Sequence, residues 1–418
     1  MRSSLRGASA LATVAVCAAT ASTAGAFARD RPTLKHPPAA AASSAGLSPG
    51  ALFLQRYAAT NMASDQQVTA SQAVEIATRF NVIVATKRTF APYAASMRAA
   101  NPNLRLLAYQ NGAFAQSNQP TTYPDSWYAR GAGGAKVRSR GFGNYLMNIG
   151  NPGWRQSAGQ ECAASLAKSG YDGCYLDMLG TAPLGSGYVN AVPINTATGA
   201  VWTPGDYLAA TGAIAAEVKA QNPEVVVAGN GLGSGARYYN EAGGSSMSLL
   251  MSLDAAHSET WLRSPHQSLT KFRSERAWLR DVSMIADAGA RGRVVLATTK
   301  TWTSGTSSQI DAWHRYTVAS FLLGTNGQSF LNFLPSKTMA DITSDSAYDR
   351  VDVGTPQGPF AKTGGVYQRE FTKGLALVNP TTTTVTVPLS QPMTTLDGKT
   401  VSSLTMAPNT GEVLTGAG

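Results

Sequence analysis

The chain has 418 residues, of which 43% are hydrophobic and 14% charged, and its formal net charge is +10. This length exceeds the need of one small core and fits a barrel-sized domain with a smaller appended domain. The basic residues are scattered rather than gathered in a run, as at Arg88, Arg138 and Arg140. The composition therefore argues against a nucleic-acid partner and leaves an acidic glycan or an anionic cell wall open.

Residues 1–28 have the pattern of a secretory signal peptide. Arg2 and Arg6 precede an apolar run from Ala8 to Ala19 that is too short to span a bilayer, and Ala26-Phe27-Ala28 fits a small-residue cleavage site. We therefore expect a secreted or extracellular protein, with cell-wall association left open, and no stable membrane insertion. Residues 29–50 are rich in Pro, Ala and Ser and predict a flexible linker.

Residues 51–347 alternate short apolar segments with segments of helical spacing, which is typical of βαβ units around a parallel sheet. Eight such units in a segment of this length predict a (β/α)8 TIM barrel. The strands are predicted at Leu52–Tyr57, Val82–Thr86, Leu104–Gln110, Gly173–Met178, Val225–Gly229, Leu253–Glu259, Val294–Thr298 and Ser329–Leu334. The helices are predicted at Ser71–Arg79, Ala91–Ala100, Ser157–Lys168, Pro204–Gln221, Gly235–Ala242, Leu269–Ala288 and Ser308–Leu323.

Residues 348–418 differ in composition from the barrel segment. Short runs of β-type residues are bounded there by Gly, Pro, Asn and Asp, which predicts a small C-terminal antiparallel β domain. The runs are Val366–Arg369, Leu375–Val378, Thr382–Leu389 and Glu412–Thr415.

Two carboxylates end predicted strands of the barrel. Asp177 closes the segment Gly170-Tyr171-Asp172-Gly173-Cys174-Tyr175-Leu176-Asp177, and Glu259 closes the sixth strand. Because the C-terminal strand ends form the functional mouth of a barrel, the two side chains are expected to face each other there. We predict a carboxyl separation of about 5 to 9 Å, the range used by glycosidases with two carboxylates. One carboxylate would attack or activate water, and the other would protonate the leaving oxygen.

Polar and aromatic residues at the other strand ends and in the mouth loops predict a sugar-binding surface, since sugar rings stack on aromatic side chains. The long insertion from Gly112 to Gly153 is a candidate lid. Trp127 within it would either form part of the sugar-binding wall or anchor the loop against the barrel rim. The candidate substrate-binding residues are Arg56, Tyr57, Lys87, Tyr109, Gln110, Asn111, Trp127, Asn230, Trp261, Lys300, Trp302 and Asn332.

The mature chain would keep two cysteines, Cys162 and Cys174. A helix residue twelve positions before a residue of the next strand can reach it for a disulfide, and two buried thiols are the alternative. No metal site is expected, because the four histidines form no H-E-x-x-H pattern. No cofactor is expected either, because the glycine-rich segment 229–235 lacks the Lys-Ser/Thr ending of a phosphate-binding loop.

Several segments resemble glycosyl hydrolase-like family 15, a group of barrel proteins. They are Ala108-Tyr109-Gln110-Asn111, the stretches 147–154 and 171–178, and Asp352-Val353-Gly354-Thr355-Pro356. The resemblance runs from Leu52 to the C-terminus and implies a (β/α)8 barrel with glycosidase activity on a poly- or oligosaccharide. By analogy with α-galactosidase-like enzymes, Asp177 would be the nucleophile or base and Glu259 the general acid, with retention of configuration.

Two other classes of function remain open from the sequence. One is a carbohydrate-binding barrel that has lost catalysis, and the other is a structural cell-surface protein without a deep pocket. The convergence of Asp177 and Glu259 in one cleft, followed by turnover on a glycan panel, would separate an enzyme from both. The sequence carries no signal for the oligomeric state.

Overall fold

The computed structural model describes residues 47, 49–59, 64–116, 119 and 121–416. The predicted signal peptide and most of the predicted linker lie outside the described residues. Within the described part, no helix is both long enough and apolar enough to cross a membrane.

Eight parallel strands follow one another in chain order in a single sheet. A parallel bridge between Arg56 and Leu331 brings the last strand back to the first, so the sheet curves into a barrel. The predicted (β/α)8 architecture is confirmed. The strands are β1 Tyr57–Ala58, β2 Val82–Ala85, β3 Arg105–Asn111, β4 Gly173–Asp177, β5 Val226–Asn230, β6 Ala255–Ser258, β7 Val294–Lys300 and β8 Phe330–Leu334.

Side chains at the helix starts accept the first free backbone N–H groups. Thr69 and Thr306 each form a capping box with a glutamine three residues later. The helices are α1 Ala70–Arg79, α2 Ala94–Ala100, α3 Pro152–Ser169, α4 Pro204–Gln221, α5 Gly235–Tyr238, α6 Glu275–Ala290, α7 Ser307–Gly324 and α8 Ala340–Thr343. Short 3-10 helices lie at Ala91–Tyr93, Asp125–Trp127, Ala182–Leu184, Glu241–Gly243, Ser246–Met251 and Ala347–Arg350.

Three barrel elements begin five residues or more away from their predicted starts. Helix α3 begins at Pro152 because Asn151 caps it and proline is suited to the first helical position. Helix α6 begins only at Glu275, where Ser274 caps it, so the preceding residues form a loop at the mouth. Strand β1 has two residues instead of the six that the apolar pattern predicts.

The barrel interior is filled by side chains from alternate positions of the strands, as period-two alternation requires. Bulky apolar residues occupy its lower part, and polar groups occupy the part nearest the C-terminal strand ends. The interior cluster comprises Tyr57, Val82, Val84, Leu107, Tyr175, Val226, Ala228, Ala255, Val294, Leu296 and Phe330, with Tyr109 packed against it. The barrel is therefore closed below, and its chemistry is confined to the mouth.

The C-terminal region forms a separate antiparallel sheet, as the sequence predicts, and this sheet has six strands. Arg369 of this sheet donates to the backbone oxygens of Leu322 and Leu323 at the end of α7, at 3.0 and 3.1 Å. The sheet thereby satisfies carbonyl groups that the helix leaves free. Its strands are β9 Ala361–Thr363, β10 Val366–Glu370, β11 Gly374–Asn379, β12 Val385–Thr395, β13 Thr400–Met406 and β14 Thr410–Gly416.

Candidate active site

Asp177 is the last residue of β4 and points into the barrel mouth. The next residue, Met178, has a positive φ of 66°, so the chain turns sharply away from the strand. The Met178 N–H donates to Asp177 Oδ1 at 2.8 Å, and the Tyr109 hydroxyl of β3 donates to Oδ2 at 2.9 Å. Both carboxylate oxygens of Asp177 are thus held in place before any ligand arrives.

Glu259 is the residue that directly follows β6. The side-chain amide of Asn230 links it to Asp177. Asn230, at the end of β5, places its Nδ2 atom 2.9 Å from Asp177 Oδ1 and 2.8 Å from Glu259 Oε2. These two oxygens therefore lie less than about 6 Å apart, which suits a glycosidase that uses two carboxylates. The three neighbouring strands bring together residues that are far apart in the chain.

A buried lysine distinguishes the two carboxylates. The Lys300 ammonium, at the end of β7, donates to Glu259 Oε1, and its side chain is 5% exposed while that of Glu259 is 37% exposed. Burial raises the pKa of Glu259, but the charge of Lys300 outweighs burial and lowers it to about 2. Burial and the neighbouring Glu259 raise the pKa of Asp177. Glu259 is therefore held ionised, and Asp177 is the better proton carrier.

A chain of buried polar groups lies below the carboxylates. The Tyr57 hydroxyl is hydrogen-bonded to Thr298 Oγ1, which lies 2.9 Å from His257 Nε2, and His257 Nδ1 is hydrogen-bonded to the Tyr175 hydroxyl. Burial lowers the pKa of His257 to about 3, so its ring is neutral at physiological pH. These four linked side chains, hereafter the polar floor, each have a hydrogen-bond partner: Tyr57, Thr298, His257 and Tyr175.

Aromatic side chains flank the carboxylates on two sides. On one side the Lys300 and Lys337 ammonium groups lie 4.4 and 5.0 Å from the centre of the Trp302 ring. The Nε1 atom of Trp302 is buried and has no hydrogen-bond partner in the described part of the chain. On the other side the Tyr188 hydroxyl donates to Met178 Sδ at 3.2 Å. Burial and the charges of the two carboxylates raise the pKa of Tyr188 to about 12.

Several predicted substrate-binding residues share this mouth, namely Tyr109, Asn111, Asn230, Lys300, Trp302 and Asn332. Asn111 Oδ1 accepts the backbone N–H groups of Ala113 and Phe114, at 3.1 and 2.8 Å, and so shapes the start of the long insertion. Asn332 of β8 is 2% exposed, and its Nδ2 atom has no hydrogen-bond partner among the described residues. Asn332 therefore keeps a free donor.

Arg56 was predicted at the mouth, and the structure corrects this position. It precedes β1, so it lies at the opposite end of the barrel from the strand ends that carry Asp177 and Glu259. Its guanidinium forms ion pairs with Asp345 at 3.1 Å and Asp349 at 3.2 Å. The error arose because β1 starts five residues later than the apolar pattern predicts.

Lys87 and Gln110 also point away from the mouth. The Lys87 ammonium lies 3.2 Å from Glu161 Oε1 on α3. Gln110 is buried, and its Nε2 atom donates to the Ala158 oxygen of α3 at 3.0 Å. Because neighbours along a strand alternate between faces, Gln110 faces the helices while Tyr109 faces the barrel interior.

Two further predicted residues are buried. Tyr57 belongs to the polar floor, below the reach of a ligand in the mouth. Trp261 is completely buried, and its Nε1 atom donates to the Asp281 oxygen of α6 at 3.0 Å. The strand that should present Trp261 ends at Ser258, so this ring packs between helices instead of facing the mouth.

Trp127 is half-buried in the long insertion. Its ring stacks on Tyr123 with centroids 6.1 Å apart, and a Cβ atom added at Gly153 would lie 2.6 Å from it. These contacts join the insertion to the first turn of α3. They favour the anchoring role over the sugar-binding role for this side chain.

Cys162 of α3 and Cys174 of β4 form a disulfide, with their Cα atoms 5.9 Å apart. Both residues are completely buried. The bond ties α3 to the strand that ends at Asp177, and therefore supports the position of that carboxylate.

Some residues of the site were not identified from the sequence. His257 lies two residues before Glu259, so period-two alternation would have placed it below that carboxylate. Tyr188 lies in a second insertion, after β4, and no local pattern marks it. Among the described residues, no three His, Cys, Asp or Glu side chains lie close enough together to hold a metal ion.

Two carboxylates close together at the C-terminal mouth of a barrel fit the two-carboxylate chemistry of glycoside hydrolases. The family model of hypothetical glycosyl hydrolase family 15 matches residues 98–375, and the chain belongs to this family. The resemblance predicted from sequence segments is thereby confirmed.

Solved structures with the same fold include glycoside hydrolases. The noncanonic maltogenic α-amylase AmyB from Thermotoga neapolitana is 11% identical, with a TM-score of 0.50 over 86% of this chain and 96% of that chain. The glycoside hydrolase domain of PelA from Pseudomonas aeruginosa is 15% identical, with a TM-score of 0.42 over 68% and 94%. The likeness to AmyB shows the fold alone. Among curated proteins, no relative matches the chain.

Proposed function

We propose that the protein cleaves a glycosidic bond of a poly- or oligosaccharide with Asp177 and Glu259. The observation that carries this proposal is the Asn230 amide, which contacts both carboxylates at the barrel mouth. Membership in a glycosyl hydrolase family supports it. A barrel that only bound carbohydrate would not need one carboxyl group with a raised pKa beside another with a lowered pKa.

The charges favour a division of roles opposite to the one implied by the resemblance. Glu259 is kept ionised by Lys300, which suits attack on the anomeric carbon. Asp177 has a raised pKa, which suits donation of a proton to the leaving oxygen. We therefore assign Glu259 as the nucleophile and Asp177 as the general acid and base.

The short separation favours a retaining reaction, because an inverting one needs room for a water molecule between carboxylate and sugar. Glu259 forms a bond to the anomeric carbon while the glycosidic C–O bond breaks and the Asp177 proton moves to the leaving oxygen. Asp177 then takes a proton from water, whose oxygen attacks the anomeric carbon and releases Glu259. Tyr109 stabilises the Asp177 carboxylate between these steps.

The sugar itself would lie between Trp302 and the free amide donor of Asn332. The half-buried Trp302 ring offers a face for the C–H groups of a pyranose. Asn332 Nδ2, which lacks a partner among the described residues, would donate to a sugar hydroxyl. Binding a hydroxyl there would remove the cost of an unsatisfied buried donor.

The proposal places the protein outside the cytoplasm. The signal-like pattern of residues 1–28 supports export, and the Cys162–Cys174 disulfide fits an oxidising compartment. N-terminal sequencing of the protein recovered from the culture medium tests this location. A chain that stays in the cytoplasm with its first residues intact would contradict it.

Chemical rescue tests the roles once a glycan panel has supplied a substrate. Glu259→Ala with azide should form a glycosyl azide of inverted configuration, because azide attacks the sugar directly. Asp177→Ala with azide should form one of retained configuration, because two displacements occur. The reverse pattern would exchange the two roles, and undiminished turnover in both variants would refute the proposed function.

A further inference from the structure

A turn formed by residues 138–143, hereafter the basic-aromatic turn, projects from the long insertion on the mouth side of the barrel. The Gly143 N–H donates to the Ser139 oxygen at 3.0 Å and closes the turn. Phe142 at its tip is 74% exposed, more than any other large apolar side chain described. A single exposed apolar side chain is normal on a protein surface, so a ligand site here depends on the two arginines of the turn.

Two arginines of the turn are held in fixed positions. Arg138 Nε donates to the Gly143 oxygen at 2.9 Å, and its guanidinium lies 4.8 Å from the centre of the Tyr145 ring. Arg140 Nε donates to the oxygens of Ser186 and Val189 at 2.8 and 2.9 Å. These bonds use the Nε groups, and among the described residues the terminal nitrogens of both side chains form no hydrogen bond.

Neither arginine has a carboxylate partner among the described residues, whereas nine other arginines of the described part have one. Within the insertion itself, Asp125 pairs with Arg130 and Lys136, at 2.5 and 2.9 Å. The positive charge of Arg138 and Arg140 is therefore uncompensated locally.

The basic-aromatic turn is continuous with the candidate active site. Ser139 forms a β-bridge with Val189, and the Arg140 N–H donates to the Tyr188 oxygen at 2.9 Å. Tyr188 is the residue whose hydroxyl contacts Met178, next to Asp177. A glycan bound across Asp177 would therefore extend towards the turn.

We infer that the basic-aromatic turn binds carboxylate-bearing sugar residues of the glycan, which makes an acidic polysaccharide the substrate class. This inference rests on the proposed function. Each guanidinium presents two parallel N–H donors that match a sugar carboxylate, and the Phe142 ring provides a face for the sugar between them. The net charge of +10, of which Arg2 and Arg6 of the predicted signal peptide supply only two, favours approach of such a polymer.

The test measures binding in the Asp177→Asn background, which prevents cleavage. Polygalacturonate, alginate and hyaluronan are each compared with their carboxyl-reduced forms by affinity electrophoresis. At least one acidic glycan should bind about tenfold more tightly than its reduced form. R138Q/R140Q should abolish this preference, whereas Phe142→Ala should weaken binding of both forms alike.

A matched control separates local recognition from net charge. K168Q/R293Q removes two positive charges at the opposite end of the barrel, since Lys168 lies in the last turn of α3 and Arg293 precedes β7. This variant should keep the preference for the acidic form. If it loses the preference to the same extent as R138Q/R140Q, the inference is overturned.

Other outcomes are equally decisive. If no acidic glycan is preferred over its reduced form, the inference is overturned. It is also overturned if single-stranded DNA or anionic vesicles bind with the same affinity as the acidic glycan and with the same dependence on Arg138 and Arg140. If the acidic preference and its loss occur as expected while the unmodified protein cleaves no glycan, the proposed hydrolase function fails and the binding inference stands. The two failures are thus distinguishable.

Discussion

Lys300→Met tests whether the buried lysine sets the ionisation of Glu259. Methionine keeps the length and the apolar stem of the side chain, which is 5% exposed, and removes its charge. Burial would then be opposed only by weaker partners such as the Asn230 amide, so the pKa of Glu259 should rise from about 2 towards its ordinary value of 4.5. The acidic limb of kcat/KM should therefore move up by about two pH units.

The assay is kcat/KM from about pH 2 to pH 9 on the best glycan of the panel, so that it reaches the Glu259 pKa of the original protein. Lys337→Met is the matched control, because it removes the other ammonium group at the Trp302 ring, and its acidic limb should stay in place. Lys300→Arg keeps the positive charge, so its acidic limb of kcat/KM should lie close to that of the original protein. An acidic limb of Lys300→Met within half a pH unit of the original protein would refute the electrostatic assignment.

The same change has a signature in stability. The folded-state pKa of Glu259 lies below its unfolded value, so its ion pair stabilises the fold above pH 4.5 and loses this effect as pH falls through about 2. The difference in Tm between the original protein and Lys300→Met should be largest above pH 5 and shrink towards pH 2. A difference that grows on acidification would contradict this sign.

Trp127→Ala should lower Tm by several degrees and leave glycan affinity unchanged, because its ring joins the insertion to α3; a lost affinity at unchanged Tm would favour the sugar-binding role. Replacing Cys162 and Cys174 together by Ala should lower the free energy of unfolding by about 2 to 4 kcal/mol in urea titrations; an unchanged midpoint would show that the disulfide adds nothing. Asn230→Ala should lower kcat about 100-fold with an unchanged circular dichroism spectrum, because both carboxylates lose a shared donor; a loss of less than threefold would be inconsistent with its positioning role.

The strand pattern was enough to predict the barrel and to place Asp177 and Glu259 at its mouth. Both residues end short apolar runs, and strand order in a (β/α)8 barrel follows chain order, so two strands separated by one other bring their ends together. The C-terminal sheet was equally visible in its runs of β-type residues. Two of its strands, β9 and β13, were missed because they are mostly exposed and polar.

Errors at single residues come from features that local patterns do not contain. Gln110 was assigned to the mouth because it ends a predicted strand, although the strand face decides its direction. Arg56 was misplaced because its partners, Asp345 and Asp349, lie almost 300 positions away, at the other end of the barrel sequence. Only the packed structure brings such residues together.

The opposite pKa shifts of Asp177 and Glu259 were likewise not predictable from the sequence. They depend on Lys300 contacting Glu259 and on Asn230 lying between the carboxylates, and both contacts require the register of β5, β6 and β7. The pairing of the basic-aromatic turn with the segment around Tyr188 joins two insertions through backbone bonds. Backbone pairing between insertions leaves no periodic signal in either segment.

The most direct measurement of the central claim is the release of reducing ends from a panel of acidic and neutral polysaccharides. The unmodified protein is compared with Asp177→Asn and Glu259→Gln, all shown to be folded by circular dichroism and thermal unfolding. The two-carboxylate account predicts turnover of at least one polysaccharide and a loss on the order of a thousandfold or more in each variant. Turnover in either variant close to that of the unmodified protein, or a folded unmodified protein that cleaves none of the polysaccharides, would contradict it.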